Sequence, residues 1–144
     1  MAKNNKGGIG QWVLALLRVV LGIIFLYHGY VKLFVPGGFK GTVAFFTSLA
    51  IPAPVYAAFL VSAVEFVGGI LLVLGFFTRL VSIALIIEMA VAFFKVHLKQ
   101  GFFITQSTYG YEFVVLLVAS LLLILASGSG KLSVGKLFKN KYLQ

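Results

Sequence analysis

The stretch Ala63–Arg79, AVEFVGGILLVLGFFTR, is an apolar run with one carboxylate, Glu65, in its interior. A glycine pair, Gly68-Gly69, follows, then Gly75 and a closing Arg79. An ionised carboxylate at the centre of a bilayer costs at least ~2.5 kcal/mol. Glu65 is therefore expected to face other helices, where it either pairs with a cation or holds a proton. Ala58, Ser62, Glu65, Gly69 and Leu72 share one helical face. Small residues beside a carboxylate imply that another helix approaches closely there.

Outward from this stretch the chain keeps the same character. Of its 144 residues, 61% are hydrophobic and 10% are charged. A soluble domain carries roughly a quarter charged residues, so this chain lacks the polar surface to stay dissolved. The pattern predicts an all-α integral membrane four-helix bundle in one membrane domain, with spans at about 11–35, 55–77, 80–98 and 109–126. Pro36-Gly37-Gly38 closes the first span. Residues 39–51 are too short to cross, and Phe39, Val43 and Phe46 suggest a short interfacial helix between the first two spans. Residues 1–8 read as a polar tail and 127–144 as a basic one.

The net charge of +9 gathers in the tails and at segment ends, where lipid headgroups lie, and gives no reason to expect nucleic acid as a partner. There are no cysteines, which excludes disulfides, thiolate metal sites and dithiol redox chemistry on this chain. Lys3, Lys6, Arg18, Arg79, Lys131, Lys136, Lys139 and Lys141 fall on one side, against Lys32, Lys40, Lys95 and Lys99 on the other. That asymmetry predicts cytoplasmic termini. Arg18 is near enough to the start of its span to snorkel toward headgroups. Glu65 then lies ~15 Å from the outer end of its helix.

The chemistry-bearing residues are few. His28 and Lys32 are i, i+4 neighbours on one face, at a depth that can meet Glu65. Together with Glu112 and His97 they suggest a polar pocket. Glu65 and Glu112 are the candidate proton-handling groups, and His28, Lys32 and His97 the candidate ligand-binding groups. Each has a structural alternative: Glu65 can pin two helices, and Glu112 can serve the positive end of its own helix. Glu88 is nine residues from both Arg79 and His97. On a regular helix that is about 180°, so Glu88 is expected to point away from His97, toward a second cavity, the first helix or a second copy of the chain. No Glu-x-x-His or His-x-x-x-His spacing supports a metal site. His28 and His97 could also serve as axial haem ligands, but nothing local marks that.

Five motifs carry a resemblance. HGYVKLF closes the first span, EFVGGILLVLGFFTR fills the second, His97 precedes a Gly101-Phe102 turn, Tyr111-Glu112 opens the fourth, and GSGKLSV ends the series. In this order, over Leu14 to Val134, they resemble the DoxX family of bacterial membrane proteins. The resemblance implies a four-helix protein of the bacterial inner membrane, related to the small subunit of thiosulfate:quinone oxidoreductase. By it, Lys32, Glu65, Gly69, Gly75, Arg79, His97 and Glu112 fall on family-pattern positions, and His28 lies beside them. Two departures stand out: Val134-Gly135 follows Ser133 where an acidic residue is common, and Glu88 is outside the pattern. The resulting expectation is a subunit or partner of a membrane redox system, with a quinone or small-molecule pocket in the outer half. The electrons would come through a partner protein or bound cofactor, because the chain carries no electron carrier. A proton-coupled transporter or channel and a non-catalytic anchoring subunit are the alternatives.

Overall fold

The computed structural model describes residues 8–105 and 107–136. The tail residues 1–7 and the end of the basic tail, 137–144, lie outside the described residues. Among those described, the fold is helical and holds five α-helices: α1 Ile9–Phe34, α2 Gly38–Ser48, α3 Pro54–Leu74, α4 Thr78–Ala92 and α5 Glu112–Ser127. A π-helical turn, Phe93–His97, and a 3-10 turn, Leu98–Gln100, extend α4.

Local chemistry sets the boundaries. α1 stops at Val35, which is extended (φ −79°, ψ 134°), as proline at the next position requires. Pro54 opens α3 at a position where its missing N–H costs nothing. Gly75 closes α3 in the left-handed region (φ 72°). Its N–H bonds Leu72 O at 3.1 Å and the Phe76 N–H bonds Leu71 O at 2.9 Å, which satisfies the helix's last carbonyls.

α1 and α3 form the closest seam in the molecule. They run antiparallel with glycine against backbone. A Cβ on Gly22 would sit 2.8 Å from Gly69 O, and one on Gly69 would strike the Leu26 backbone nitrogen. One on Gly29 would strike the Phe66 backbone nitrogen. The glycines therefore set the interaxial distance, as small residues do between helices in lipid. The core packed beside this seam includes Leu21, Phe25, Leu72, Leu85, Leu121 and Ile124, drawn from α1, α3, α4 and α5.

Arg18 does not snorkel. It is 1% exposed. Its Nη1 donates to Ser129 O at 2.6 Å, and its Nη2 donates to Leu132 O at 2.9 Å and Val73 O at 3.4 Å. These carbonyls belong to the last turn of α3 and the segment just beyond α5, where helix ends present negative partial charge. The guanidinium thus ties α1 to two other helices, and the left-handed Gly75 leaves room for it, because a Cβ there would overlap it. Ser133 Oγ adds a bond to Gly75 O at 2.6 Å, and the Lys131 N–H one to Gln11 O at 3.1 Å. The segment 128–134 is a clasp over this end of the bundle.

Three helical stretches among the described residues are long and apolar enough to cross a membrane: Ile9–Phe34, Pro54–Leu74 and Thr78–Gln100. The fourth run, expected to begin at 109, starts its helix at Glu112 and is 16 residues long, short of the ~20 that span a hydrocarbon core. Residues 109–111 are taken up by the preceding loop instead: the Tyr111 N–H bonds Gly101 O and the Glu112 N–H bonds Phe102 O, both at 3.0 Å.

Candidate functional site

The register of the α1–α3 seam builds the first part of the site. With Gly22 against Gly69 and Gly29 against Phe66, the next turn of α1 brings Lys32 to Glu65. Lys32 Nζ donates to Glu65 Oε2 at 2.5 Å; the lysine side chain is 25% exposed and the glutamate 4%. A charge-assisted bond of this length compensates much of the cost of burying Glu65. Lys32 is one of the two partners, with His28, that the depth argument named for Glu65.

Glu88 joins the group on the side of the first helix, although a regular helix would have turned it away from His97. The Glu88 Oε2 is buried without a hydrogen-bond partner, and the residue lines the same cavity as Lys32, Glu65 and His97. The 180° separation assumed a regular helix. The π turn at Phe93–His97 breaks that regularity: each of its residues advances the helix by less rotation. Lys95 and His97 are thereby turned toward the cavity that Glu88 faces one level below.

This cavity has a volume of about 950 Å³ and is lined by all five helices. His28, Lys32, Glu65, Glu88, Lys95 and His97 supply its charged and imidazole groups. Most of the remaining wall is aliphatic or aromatic, including Ile24, Phe45, Leu60, Ile87, Phe113 and Leu117. α2 closes one side through Thr42, Phe45 and Phe46, and the loop before α5 closes another through Ile104 and Tyr109. The volume falls in the range of small-molecule sites.

His97 and Glu112 organise that loop. His97 Nδ1 lies 2.5 Å from Tyr109 O. A carbonyl can only accept, so Nδ1 carries the hydrogen, and Nε2 of the neutral ring is left as an acceptor. Glu112 Oε1 accepts the Ile104 N–H at 2.7 Å, and Gln100 Oε1 accepts the Tyr109 N–H at 2.5 Å. Glu112 is not among the cavity-lining residues. It stands at the first turn of α5, where the helix favours an anion, and it fastens the loop from outside the chamber. Of the five candidates, the structure therefore gathers His28, Lys32, Glu65 and His97 and sets Glu112 apart. Sequence reasoning missed Glu88 and Lys95. Among the described residues, no group of three or more His, Asp or Glu side chains could hold a metal ion.

The family model for DoxX matches residues 13–98. The chain belongs to the DoxX family. The match holds α1 through the π turn, and with them the whole charged end of the cavity; α5 and Glu112 fall outside it. Among related DoxX-like proteins, a Bacillus subtilis protein named "Putative oxidoreductase CatD" is 38% identical over 60% of this chain and 61% of its own length. "Inner membrane protein YphA" of Escherichia coli is 38% identical over 51% of each chain. An uncharacterized protein of Haemophilus influenzae is 31% identical over 96% of this chain and 99% of its own. The matched stretch thus spans about three-fifths of the first relative and half of the second. No solved structure matches the chain.

Proposed function

We propose that this DoxX protein is a four-span subunit or partner of an inner-membrane redox system. It would bind a lipid-soluble quinone or similar small molecule in the cavity between its helices. In this reading α5 is a short fourth span, α2 lies at the membrane interface, and both termini are cytoplasmic. The eight-to-four Lys/Arg asymmetry supports that orientation, which puts the cavity in the outer half. The observation that carries the reading is the chamber itself: about 950 Å³, mostly apolar, with an ion pair and a second carboxyl at one end. The name of the Bacillus relative points to the same reaction class.

A quinone supplies two carbonyl oxygens that take up electrons and protons. The chain's own residues supply the rest. Lys32, a quarter exposed, presents an N–H donor to a carbonyl oxygen at the charged end. Glu65 and Glu88 hold the proton that must accompany reduction. His97, with Nε2 as an acceptor, and His28 stand on the cavity wall as relay groups. The apolar wall excludes water from the reacting head, and Glu112 keeps the loop wall in place. The electrons come from a partner subunit.

The test is organic extraction of the purified protein, followed by titration with a short-chain quinone. Quinone should co-purify, and binding should fall about tenfold or more in Lys32→Met. A protein that carries no quinone and binds none is not a quinone subunit. The second reading is a proton-coupled transporter, favoured by two carboxyl groups, Glu65 and Glu88, on one cavity within the bundle. It predicts proton flux in liposomes that stops in Glu65→Gln.

A further inference from the structure

The end of the bundle away from the cavity carries charge of one sign. α1 begins there, α5 finishes there, and the clasp 128–134 folds over both. The chain has three acidic residues, Glu65, Glu88 and Glu112. Two line the cavity and the third opens α5, so none stands at this end. Arg18 is buried and its Nη donors go to backbone carbonyls. Arg79 and Lys131 face outward. Arg79 is exposed on the first turn of α4, and a Cβ on Gly128 would stand 3.7 Å from its Nη2. Lys131 lays its Nζ over the Trp12 ring, 5.1 Å from the centroid. Neither cation has a carboxylate partner among the described residues. Beside them a groove of about 430 Å³ runs between α1 and α5. Its rim adjoins both cations: Gln11 O accepts the Lys131 N–H, and Ser127 precedes the Gly128 on which Arg79 lies. Further along the two helices, Val13, Leu14 and Leu123 make its wall aliphatic.

We infer that this groove is a binding site for an anionic phospholipid, whose phosphate meets Arg79 and Lys131 while the start of an acyl chain lies along Val13, Leu14 and Leu123. The site is independent of the redox reading, which concerns the other end of α1. Two outward cations without a counter-charge are complementary to an anion, and in a bilayer the anion at this level is a lipid phosphate. Basic pockets between membrane helices take up anionic headgroups for this reason. Arg79 supplies a planar fork that matches phosphate oxygens. Lys131 supplies a point charge already held in place by the face of Trp12, which lowers the cost of ordering it on binding. A zwitterionic lipid brings its own ammonium beside the phosphate, and that charge is repelled by both residues. The groove adds what a bare basic surface lacks, an apolar slot, so the retained ligand must carry a headgroup and a chain together.

The experiment uses the full chain, delipidated in a neutral maltoside detergent and titrated with dioleoyl phosphatidylglycerol or dioleoyl phosphatidylcholine. Bound lipid is counted by native mass spectrometry. Phosphatidylglycerol should bind wild type on the order of tenfold tighter than phosphatidylcholine. Arg79→Gln and Lys131→Gln should each weaken phosphatidylglycerol about fivefold with little change for phosphatidylcholine, and Lys131→Arg should keep the wild-type affinity. Gly10→Trp should weaken both lipids, because a Cβ on this groove-lining residue meets nothing within 4 Å and the ring has room to enter. Lys99→Gln, at the other end of the bundle, should change neither. Equal binding of the two lipids by wild type overturns the inference. A loss in Lys99→Gln as large as that in Lys131→Gln also overturns it, since the attraction is then diffuse surface charge. So does displacement of phosphatidylglycerol by an equal concentration of glycerophosphate, which has the phosphate and no chain. Where a charge variant folds poorly, the comparison of lipids on wild type and the Gly10→Trp plug still decide, because both leave Arg18 and the clasp intact. Every one of these outcomes leaves the redox reading of the cavity where it was.

Discussion

Arg18 and Lys32 stand on the same helix, and the fold treats their charges in opposite ways. Arg18 is 1% exposed, and its hydrogen bonds go to three backbone carbonyls at the ends of other helices. Lys32 is 25% exposed and bonds a single carboxylate on the wall of a large cavity. The first arrangement closes space: the clasp of residues 128–134 folds over it, and Gly75 is shaped around it. The second leaves space open, with a carboxylate partner and the carboxyl of Glu88 on the wall of the same cavity. Where a buried cation is neutralised by backbone dipoles it organises the fold. Where it is neutralised by a side chain facing a chamber, the same type of charge is available for chemistry.

The sharpest way to break this contrast is to remove Arg18. Arg18→Ala strips donors from Ser129, Leu132 and Val73, at about 1–3 kcal/mol for each carbonyl left buried without one. The variant should lose several kcal/mol and show a collapsed yield and melting temperature. Arg18→Lys should recover only part of it, since an ammonium cannot reproduce the planar fork. A folded Arg18→Ala with near-native melting would dissolve the contrast.

Second in size is the seam that sets the register of Lys32 on Glu65. Gly29→Val drives a side chain into the Phe66 backbone and should cost ~3 kcal/mol or more. Ligand binding should fall together with stability, measured on the same preparation.

The ion pair itself should respond differently. Glu65→Ala should cost about 2 kcal/mol, below the ~3–5 typical of breaking a buried pair, because Lys32 keeps some contact with solvent. The double variant Lys32→Met/Glu65→Leu should return to within about 1 kcal/mol of wild type and still bind no ligand. A double variant that binds normally would reduce the pair to helix glue. The smallest effect is expected at Glu112→Gln. A neutral acceptor can still take the Ile104 N–H, so stability should fall by ~1 kcal/mol or less, with ligand affinity changed only a few-fold.

Much of this was legible in the sequence. The small-residue face around Glu65 announced a close helix contact, and Gly69 makes that contact with α1. The i, i+4 placement of His28 and Lys32 put both on one wall of one cavity. Three features were hidden. Arg18 lacks an acidic neighbour in sequence, and its partners are carbonyls that become available only when α3 and α5 end beside it. The π turn has no glycine or proline to mark it, so the regular 100° step misplaced Glu88. The start of α5 shifted because the loop at 101–111 folds back to bond its amides, a long-range event that periodicity does not record. A departure from ideal helix geometry accounts for Glu88, and contacts that exist only in the folded chain account for Arg18 and for the start of α5.

Photolabelling with an azido-quinone addresses the chamber itself, with peptide mapping of wild type and of Gly41→Trp, which plugs it by adding a ring to the cavity wall where a Cβ meets nothing within 4 Å. The account predicts labels on cavity-facing positions of α1, α2 and α4, competed by unlabelled quinone and lost in the Gly41→Trp variant. Labels confined to outward-facing residues such as Leu16, Val67 or Leu80, and unchanged by the plug, would contradict it.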